Sequence, residues 1–581
     1  MKILFLALIL ILCCNSLFAQ GHENTMLFGY AGGDWSPNED KFGINILKFS
    51  NGSLEITDNQ VANAFFNDTD AAISDSSGQL LFYFNGIDVF NKAHLVMQNG
   101  GLLNAFNETG YDLPQGGIII PWPGRPNLYL LFHLEEKWYT LPDGNIFGGC
   151  TGCYYSVVDM AVNNGLGRVM QRKATIVADT VEYGKLAMTR HANGRDWWLM
   201  VPEIESNRYY TVLINPFGIY NMGIQSIGQN RENGIGQAFF SPNGSRYVIQ
   251  NAIGGLRGYY VDIYDFDRCT GMLGEHEQIH FVDTFARGVI IAPNSRWLYV
   301  SAADKLFQYD LWSNPVAESG ILIAVYQDFN DPFPTLFHRG FLAPDDKIYL
   351  TTSSGSRTLH VIHKPDEAGT DCAFQQPGVR LICNNNSSLP TFPNYRLGPL
   401  DGSPCDTLGL DNEPKAWYRY EQDTLDPLAV EFRDLSYYEP ATWAWDFGDG
   451  SPANSTRHPV HTFPKPDVYQ ICLTVSNQYG SDTHCKALYL GVTAQDNPVL
   501  QAQVLVWPNP FRERFTVALS ANLRSPALRL YDAAGRLVRE ERLVFGVNEI
   551  EAGALPAGLY VWEVVAGGER VKSGKCVKLA E

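Results

Sequence analysis

Short apolar runs broken by tight-turn residues recur along the middle of this 581-residue chain. In Phe239–Tyr247, FFSPNGSRY, two apolar residues lead into Ser241-Pro242-Asn243-Gly244, and a second apolar strand, Tyr247-Val248-Ile249, leaves. Proline presets φ at the first corner, and Asn-Gly tolerates the positive φ that a tight turn needs. The punctuation returns as IIAPNSRWLYV at Ile290–Val300 and as FLAPDDKIYLT at Phe341–Thr351, so Pro242, Pro293 and Pro344 stand 51 residues apart. Weaker copies are ISDSSGQLLFYF at Ile73–Phe84, IIPWPGRPNLYLLF at Ile119–Phe132 and MTRHANGRDWWLMV at Met188–Val201. A period of about 50 residues built from short strands predicts propeller blades. Six copies, with strand-forming stretches left over at both ends, predict six or seven blades across residues 21–400. Pairing N-terminal and C-terminal strands in one blade is expected to close the ring and remove its sheet edges. No stretch shows sustained helical periodicity, so the chain is expected to be all-β.

The pattern changes after the repeats. Leu389–Leu410, LPTFPNYRLGPLDGSPCDTLGL, is rich in Pro and Gly and lacks alternation. It reads as the exit from the ring, with residues 401–411 as a linker. Strands at sandwich spacing follow: AVEFRDLS, TWAWDFGDGS, HPVHTFPKPDVYQICLTVSN and HCKALYL. Within them, Trp445-Asp446-Phe447-Gly448-Asp449-Gly450, His461-Thr462-Phe463, Val468-Tyr469 and Val475-Ser476-Asn477 resemble the PKD (polycystic kidney disease) domain family over residues 412–495. Trp445 and Phe447 share the strand face suited to a core, Asp446 faces away, and Gly448-Asp449-Gly450 make a tight turn. Pro464 and Pro466 depart from the family pattern just past the His461 motif. The resemblance implies an Ig-like β-sandwich that serves as an extracellular spacer or adhesion module. Asp446 or Asp449 is the candidate for a Ca²⁺ site, and no cofactor is otherwise expected.

Residues 501–581 pattern as a further small β-sandwich. Four motifs stand in order there: Trp507-Pro508-Asn509-Pro510-Phe511, Leu530-Tyr531-Asp532-Ala533-Ala534-Gly535-Arg536, Leu555-Pro556-Ala557-Gly558-Leu559-Tyr560 and Lys575-Cys576-Val577-Lys578. Together they resemble the C-terminal sorting domain of the type IX secretion system of Bacteroidota. The resemblance implies export across the outer membrane and removal of the domain by a cell-surface sortase. Attachment to surface lipopolysaccharide or release then follows. The secretion machinery and its sortase are the expected partners.

Composition agrees with an exported β-protein. Aromatics make 13% of the chain, with 53 Gly and 32 Pro, which suits short strands and tight turns. The net charge of −19 argues against nucleic acid, whose phosphates need a basic stripe. Residues 1–20 read as a signal peptide: Lys2, the apolar run Ile3–Leu12 and a small residue, Ala19, before the cut. That run is shorter than the roughly 20 residues a membrane span needs, and no other segment is expected to cross. Cys13 and Cys14 raise a lipoprotein alternative, against which bulky Leu12 stands where a lipobox wants a small residue.

Of eleven cysteines, nine lie beyond the signal. Cys472 and Cys485 flank the hairpin ICLTVSNQYGSDTHC symmetrically, which sets them opposite each other on adjacent strands, close enough for a disulfide. Cys372 and Cys383 are expected as a second local pair. Cys150 and Cys153 form a CxxC in a Gly-rich setting, which favours a structural bridge or separate partners over redox chemistry. Cys269, Cys405 and Cys576 have no readable partner. Loss of Cys576 with the sorting domain leaves an even number.

Polar residues stand just ahead of five repeated strands: Gln115, Lys185, Gln237, Arg287 and Arg339. Innermost propeller strands line the axis, so these side chains are candidates to converge on an anionic or polyhydroxylated ligand. The alternative is that they satisfy loop carbonyls between blades. Trp35, Trp122, Trp138 and Trp197 are the aromatic candidates for a glycan platform, against a role in blade cores. Neighbours such as Glu135 and Glu136 face opposite ways on a strand, and Asp345-Asp346 lies in a repeated turn, so neither makes an acid/base pair. No nucleophile elbow, zinc-protease, P-loop or dinucleotide motif stands in a supporting context. The expected function is a monomeric, non-catalytic binding or adhesion protein, with the propeller as its recognition head for a polysaccharide or a cell-surface protein. The alternatives are a polysaccharide lyase or glycosidase working at the propeller axis, and a purely structural adhesin.

Overall fold

The structure is a computed structural model. It describes residues 21–579 apart from 31–42, 51–52, 60–65, 106–110, 141–145, 233, 256–257, 282–286, 354, 386, 424–425, 491–503, 508–510, 520–525, 533–534, 545 and 567–568. The signal segment 1–20, Trp35 and the motif residues Pro508, Asn509 and Pro510 lie outside the described residues. Contacts divide the chain into two compact units; the repeat region belongs to the first and the last domain to the second.

Five of the six repeated turns share one geometry. Gly244, Ser295 and Asp346 occupy the same left-handed position, with φ of 74°, 59° and 59°. Their N–H groups donate back to Ser241, Ala292 and Ala343 at 2.7, 2.9 and 3.0 Å. Two weaker copies place Gly78 and Gly194 there, again at positive φ; in the third the turn runs from Trp122 to Arg125, and Gly124 takes positive φ one position earlier. Asn243 and Asn294 accept the N–H two residues on, an Asx turn that fixes the corner.

These turns each join two neighbouring strands in six sheets, and with the sheet of residues 25–59 the described residues form seven, the upper of the two expected counts. Blade 1 holds Thr25–Tyr30, Gly43–Ser50 and Ser53–Asn59. Blade 2 holds Thr69–Ser74, Leu80–Phe84 and Val89–Asn91, joined by the C-terminal strand Leu389–Thr391. Blades 3 to 7 are four-stranded and begin at Gly117, Ala187, Ala238, Gly288 and Phe337. Two features close the ring. Leu389–Thr391 pairs parallel with Thr69–Ala71. Blade 1 then fills the remaining gap by alternation: Met26 and Phe28 pack into the core shared with Phe341 and Tyr349 of blade 7, while Leu27 and Ile44 join Ala72 and Tyr83 of blade 2. A one-residue slip would reverse both contacts.

Residues 412–490 form a sandwich of two three-stranded sheets. One holds Tyr418–Gln422, Ala429–Asp434 and Val460–Thr462; the other holds Thr442–Asp446, Asp467–Asn477 and Gly480–Leu490. Trp445 and Phe447 are buried and share the core with Phe432, while Asp446 is exposed, as alternation requires. Gly448 and Gly450 take positive φ, and a Cβ on Gly448 would meet the Gln470 carbonyl oxygen at 2.5 Å. The last domain pairs Val504–Trp507, Arg514–Leu519 and Gly546–Glu551 in one sheet. Leu537–Arg542, Ala527–Tyr531, Gly558–Ala566 and Glu569–Lys578 make the other. Gly535 turns at φ 79°, Tyr560 donates its hydroxyl to the Pro556 carbonyl at 2.7 Å, and Cys576 is buried opposite Tyr560. The last strand carries Lys575, Val577 and Lys578, and Phe511 donates its N–H to the Val577 carbonyl at 2.9 Å.

Cysteine pairing follows the expectation in one case only. Cys472 and Cys485 are bridged. Cys372 and Cys383 remain buried thiols, which corrects the second local pair. Cys372 ends a 3₁₀ turn, and the strand Phe374–Asn385 then carries Cys383 away along blade 7. Its partner register, Ile362 opposite Phe374 and Thr358 opposite Arg380, puts the two cysteines on the order of 15 Å apart, beyond disulfide reach. Cys269 instead bridges Cys405, tying the linker to the outer hairpin of blade 5. Cys150 and Cys153 are buried thiols in the blade 3 core.

Candidate functional site

The innermost strands all begin at one end of the ring, here the start face; the repeated turns mark the other. The turn face is covered by the chain's own exit segment. Asn394 Nδ2 donates to the Pro242 carbonyl at 2.7 Å, and Arg396 Nη2 donates to the Pro344 carbonyl at 3.0 Å. Tyr395 donates to the Ile119 carbonyl at 2.5 Å, and Leu400 N–H donates to the Ala192 carbonyl at 2.8 Å. Beneath this segment a cavity of about 40 Å³ is lined by Gln115, Thr189, Ser241, Thr391 and Asn394 among others. Small-molecule sites run from about 300 Å³ upward, so this space suits a few waters and no sugar ring.

At the start face the five polar candidates separate into different roles. Gln115, leading into blade 3, reaches past blade 4 to blade 5: its Nε2 donates to the Ala238 carbonyl at 2.8 Å, and Ala238 N–H donates to its Oε1 at 2.7 Å. Gln237, leading into blade 5, does the same to Gly340 of blade 7, at 3.1 and 3.2 Å. Each amide replaces the strand partner an innermost strand lacks, and both glutamines are buried. Lys185 is fully buried; its Nζ donates to Glu182 Oε2 at 3.0 Å and to Asn251 Oδ1 at 2.5 Å. Burial lowers the Lys185 pKa, against the pull of Glu182. Arg231 completes that ion cluster from 3.6 Å and lies over the Tyr209 ring. These three candidates hold loops between blades.

Arg287 and Arg339 behave differently. Arg339 Nη2 donates to Asp68 Oδ1 at 2.5 Å and to the Ser387 carbonyl at 3.0 Å. Burial raises the Asp68 pKa to about 6, with Arg339 pulling it down and Asp112 and Glu136 pushing it up. Asp68 was not singled out from sequence, although it stands just ahead of the blade 2 strand as Gln115 and Lys185 stand ahead of theirs. Arg287 is half-buried; burial lowers its pKa, Tyr259 acts against it, and the Arg339 guanidinium lowers it further.

Blade 3 extends beyond the ring on this face. Its innermost strand starts with Gly117 opposite His133, yet the neighbouring strands continue from Leu134 to Thr140 and from Ile146 to Cys153 as a hairpin arm. Trp138 stands on that arm at 55% exposure, its ring 5.9 Å from Tyr183, whose hydroxyl donates to Glu136 Oε1 at 2.7 Å. Glu135 faces away and pairs with Lys173. The other described tryptophan candidates differ: Trp197 is buried, and Trp122 is half-buried under Arg125 with its Nε1 donating to the Asn215 carbonyl at 3.0 Å.

In the sandwich domain the candidate Ca²⁺ carboxylates are engaged within their own turn. Asp446 accepts from Gly448 N–H at 2.9 Å. Asp449 accepts from the Ser451 hydroxyl at 2.5 Å and N–H at 2.9 Å and pairs with His461 at 2.7 Å; burial raises its pKa, but the two Ser451 bonds and then His461 hold it down at about 2. The His461 ring stacks on Phe447 at 3.9 Å.

A family model for the PKD domain matches residues 420–492, and one for a secretion system C-terminal sorting domain matches residues 505–578. No curated protein matches the chain. Among solved structures, the PKD1 domain of Vibrio cholerae metalloprotease PrtV aligns at 24% identity over 14% of this chain and 98% of its own, with a TM-score of 0.13. A protein from Lactobacillus plantarum aligns at 12% identity over 64% of this chain and 97% of its own, with a TM-score of 0.32. The Pseudomonas aeruginosa periplasmic gluconolactonase PpgL aligns at 12% identity over 74% of this chain and all of its own, with a TM-score of 0.28. Likeness at these scores carries no argument about activity. The two domain matches and the seven-sheet ring make this chain a type IX secretion substrate, delivered to the cell surface or beyond it, that carries a β-propeller, a PKD domain and a C-terminal sorting domain.

Proposed function

We propose that the protein is a non-catalytic, extracellular glycan-binding protein. Its propeller is the recognition head, its PKD domain a spacer, and its sorting domain an export and anchoring signal. The observation that carries the reading is Trp138, a large aromatic held in water on a hairpin arm of the start face. A tryptophan face exposed on a rigid element suits the apolar face of a sugar ring, and Tyr183 behind it limits its motion. Across the turn face the exit segment bonds to the turns of blades 4, 5 and 7.

The test is affinity electrophoresis of the secreted chain in gels containing neutral and acidic polysaccharides, with Trp138→Ala alongside. Retardation of the parent and its loss in the variant support the reading; equal retardation of both, or none of either, contradicts it. A second reading, glycan cleavage, draws on Asp68, whose raised pKa near 6 suits a general acid. New reducing ends or unsaturated sugars in the same samples would favour it.

A further inference from the structure

Resting on the glycan-binding reading, we infer that the ligand is a carboxylated polysaccharide, with Arg287 taking a uronate carboxylate and Arg339 standing behind it. Gly288 brings the two arginines together. A Cβ there would lie 2.7 Å from Arg339 Cα and 3.0 Å from the His338 carbonyl oxygen, so the leading segments of blades 6 and 7 touch. Two guanidinium-bearing residues are thereby set side by side. The Asp68 carboxylate bonds Arg339, and among the described residues Arg287 has no carboxylate partner. Two N–H groups in this cluster, Arg287 Nε and Arg339 Nη1, are buried with no acceptor among the described residues, and the Arg339 side chain is 1% exposed. His338 stays neutral, its pKa lowered by burial and then by both arginines, so it adds repulsion to neither.

An arrangement of two adjoining cations with one weakly acidic counter-ion lacks an anion. A planar carboxylate fits the guanidinium fork, and a uronic acid residue supplies it on the same sugar chain that stacks on an aromatic ring. The chain's net charge of −19 disfavours a polyanion over the remaining surface, so binding is confined to this face.

The experiment is calorimetric titration of the secreted chain with polygalacturonate and with its methyl-esterified, uncharged form. Variants Arg287→Gln and Trp138→Ala are titrated in parallel, with unchanged near-UV circular dichroism as the folding check. The parent is expected to bind the free acid about tenfold or more tighter than the ester. Arg287→Gln is expected to erase that difference while retaining ester binding, and Trp138→Ala to weaken both. Equal affinity of the parent for acid and ester, or a preference that survives in Arg287→Gln, overturns the carboxylate assignment and leaves glycan binding standing. Binding of neither form, with no neutral glycan bound, overturns both.

Discussion

Gln237 and Gly340 exchange two hydrogen bonds across the width of a blade, the glutamine amide standing in for a peptide group. The bare backbone of Gly288 beneath makes this possible, since a Cβ there would meet Gln237 Oε1 at 2.7 Å. Gln237→Ala leaves a buried N–H and a buried carbonyl unpartnered. The expected loss is about 2–4 kcal/mol by urea denaturation, because each orphaned group costs about 1–3 kcal/mol. Gln115→Ala should cost a similar amount, and the double variant should depart from additivity by about 0.5 kcal/mol or more, since Gln115 holds Ala238, the residue next to Gln237.

The pairing of Cys269 with Cys405 encloses a separation of 136 residues, against 13 for Cys472 and Cys485. Chain-entropy reasoning gives about 4–5 kcal/mol for the first and about 3 kcal/mol for the second. Cys405→Ala should therefore lower the propeller's unfolding transition, while Cys485→Ala lowers only that of the PKD domain. Peptide mapping of secreted protein should find both bridges, and Cys150, Cys153, Cys372 and Cys383 should be alkylated only after denaturation. A Cys372–Cys383 peptide would contradict the structure.

How much was legible in the sequence follows from range. The repeated turns at Pro242, Pro293 and Pro344 are local chemistry, and alternation in Trp445-Asp446-Phe447 is equally local, so both are readable from a few residues. The Cys472–Cys485 bridge follows because a hairpin fixes its own register. What could not be read depends on closure of the ring. Cys269 and Cys405, Gln237 and Gly340, and the plug at Asn394 and Tyr395 are brought together only when seven sheets surround an axis. The Cys372–Cys383 expectation failed because closeness in sequence misleads when an extended strand intervenes. Among the polar candidates, the composition of each position said nothing about whether an internal partner stood two blades away.

Asp68 gives the start face a pH dependence. Its folded pKa of about 6 lies above the ordinary value of 3.8. A raised carboxyl pKa contributes stability that is fully present below pH 3.8 and is lost as pH rises through 6. Relative to Asp68→Asn, the parent should lose on the order of 2–3 kcal/mol between pH 4 and pH 7.5. Urea midpoints of the two proteins across that range check it; a constant difference would mean that Asp68 is ionised throughout.

Export depends on the last domain. Removing residues 505–578, the span of the sorting match, should leave the protein in the cell fraction with its propeller folded. Fractionation with immunodetection of the propeller decides it, and secretion of the truncated chain at the parental level would contradict the assignment.

The central claim is that recognition happens on the start face. Hydrogen exchange of the secreted protein, measured with and without a bound polysaccharide from the electrophoresis test, addresses it most directly. Protection is expected in the arm strands Leu134–Thr140 and Ile146–Cys153 and in the segments around Arg287 and Arg339, with the exit segment 391–400 unchanged. Protection confined to the exit segment and the turns at Pro242 and Pro344, or to the PKD domain, would contradict it.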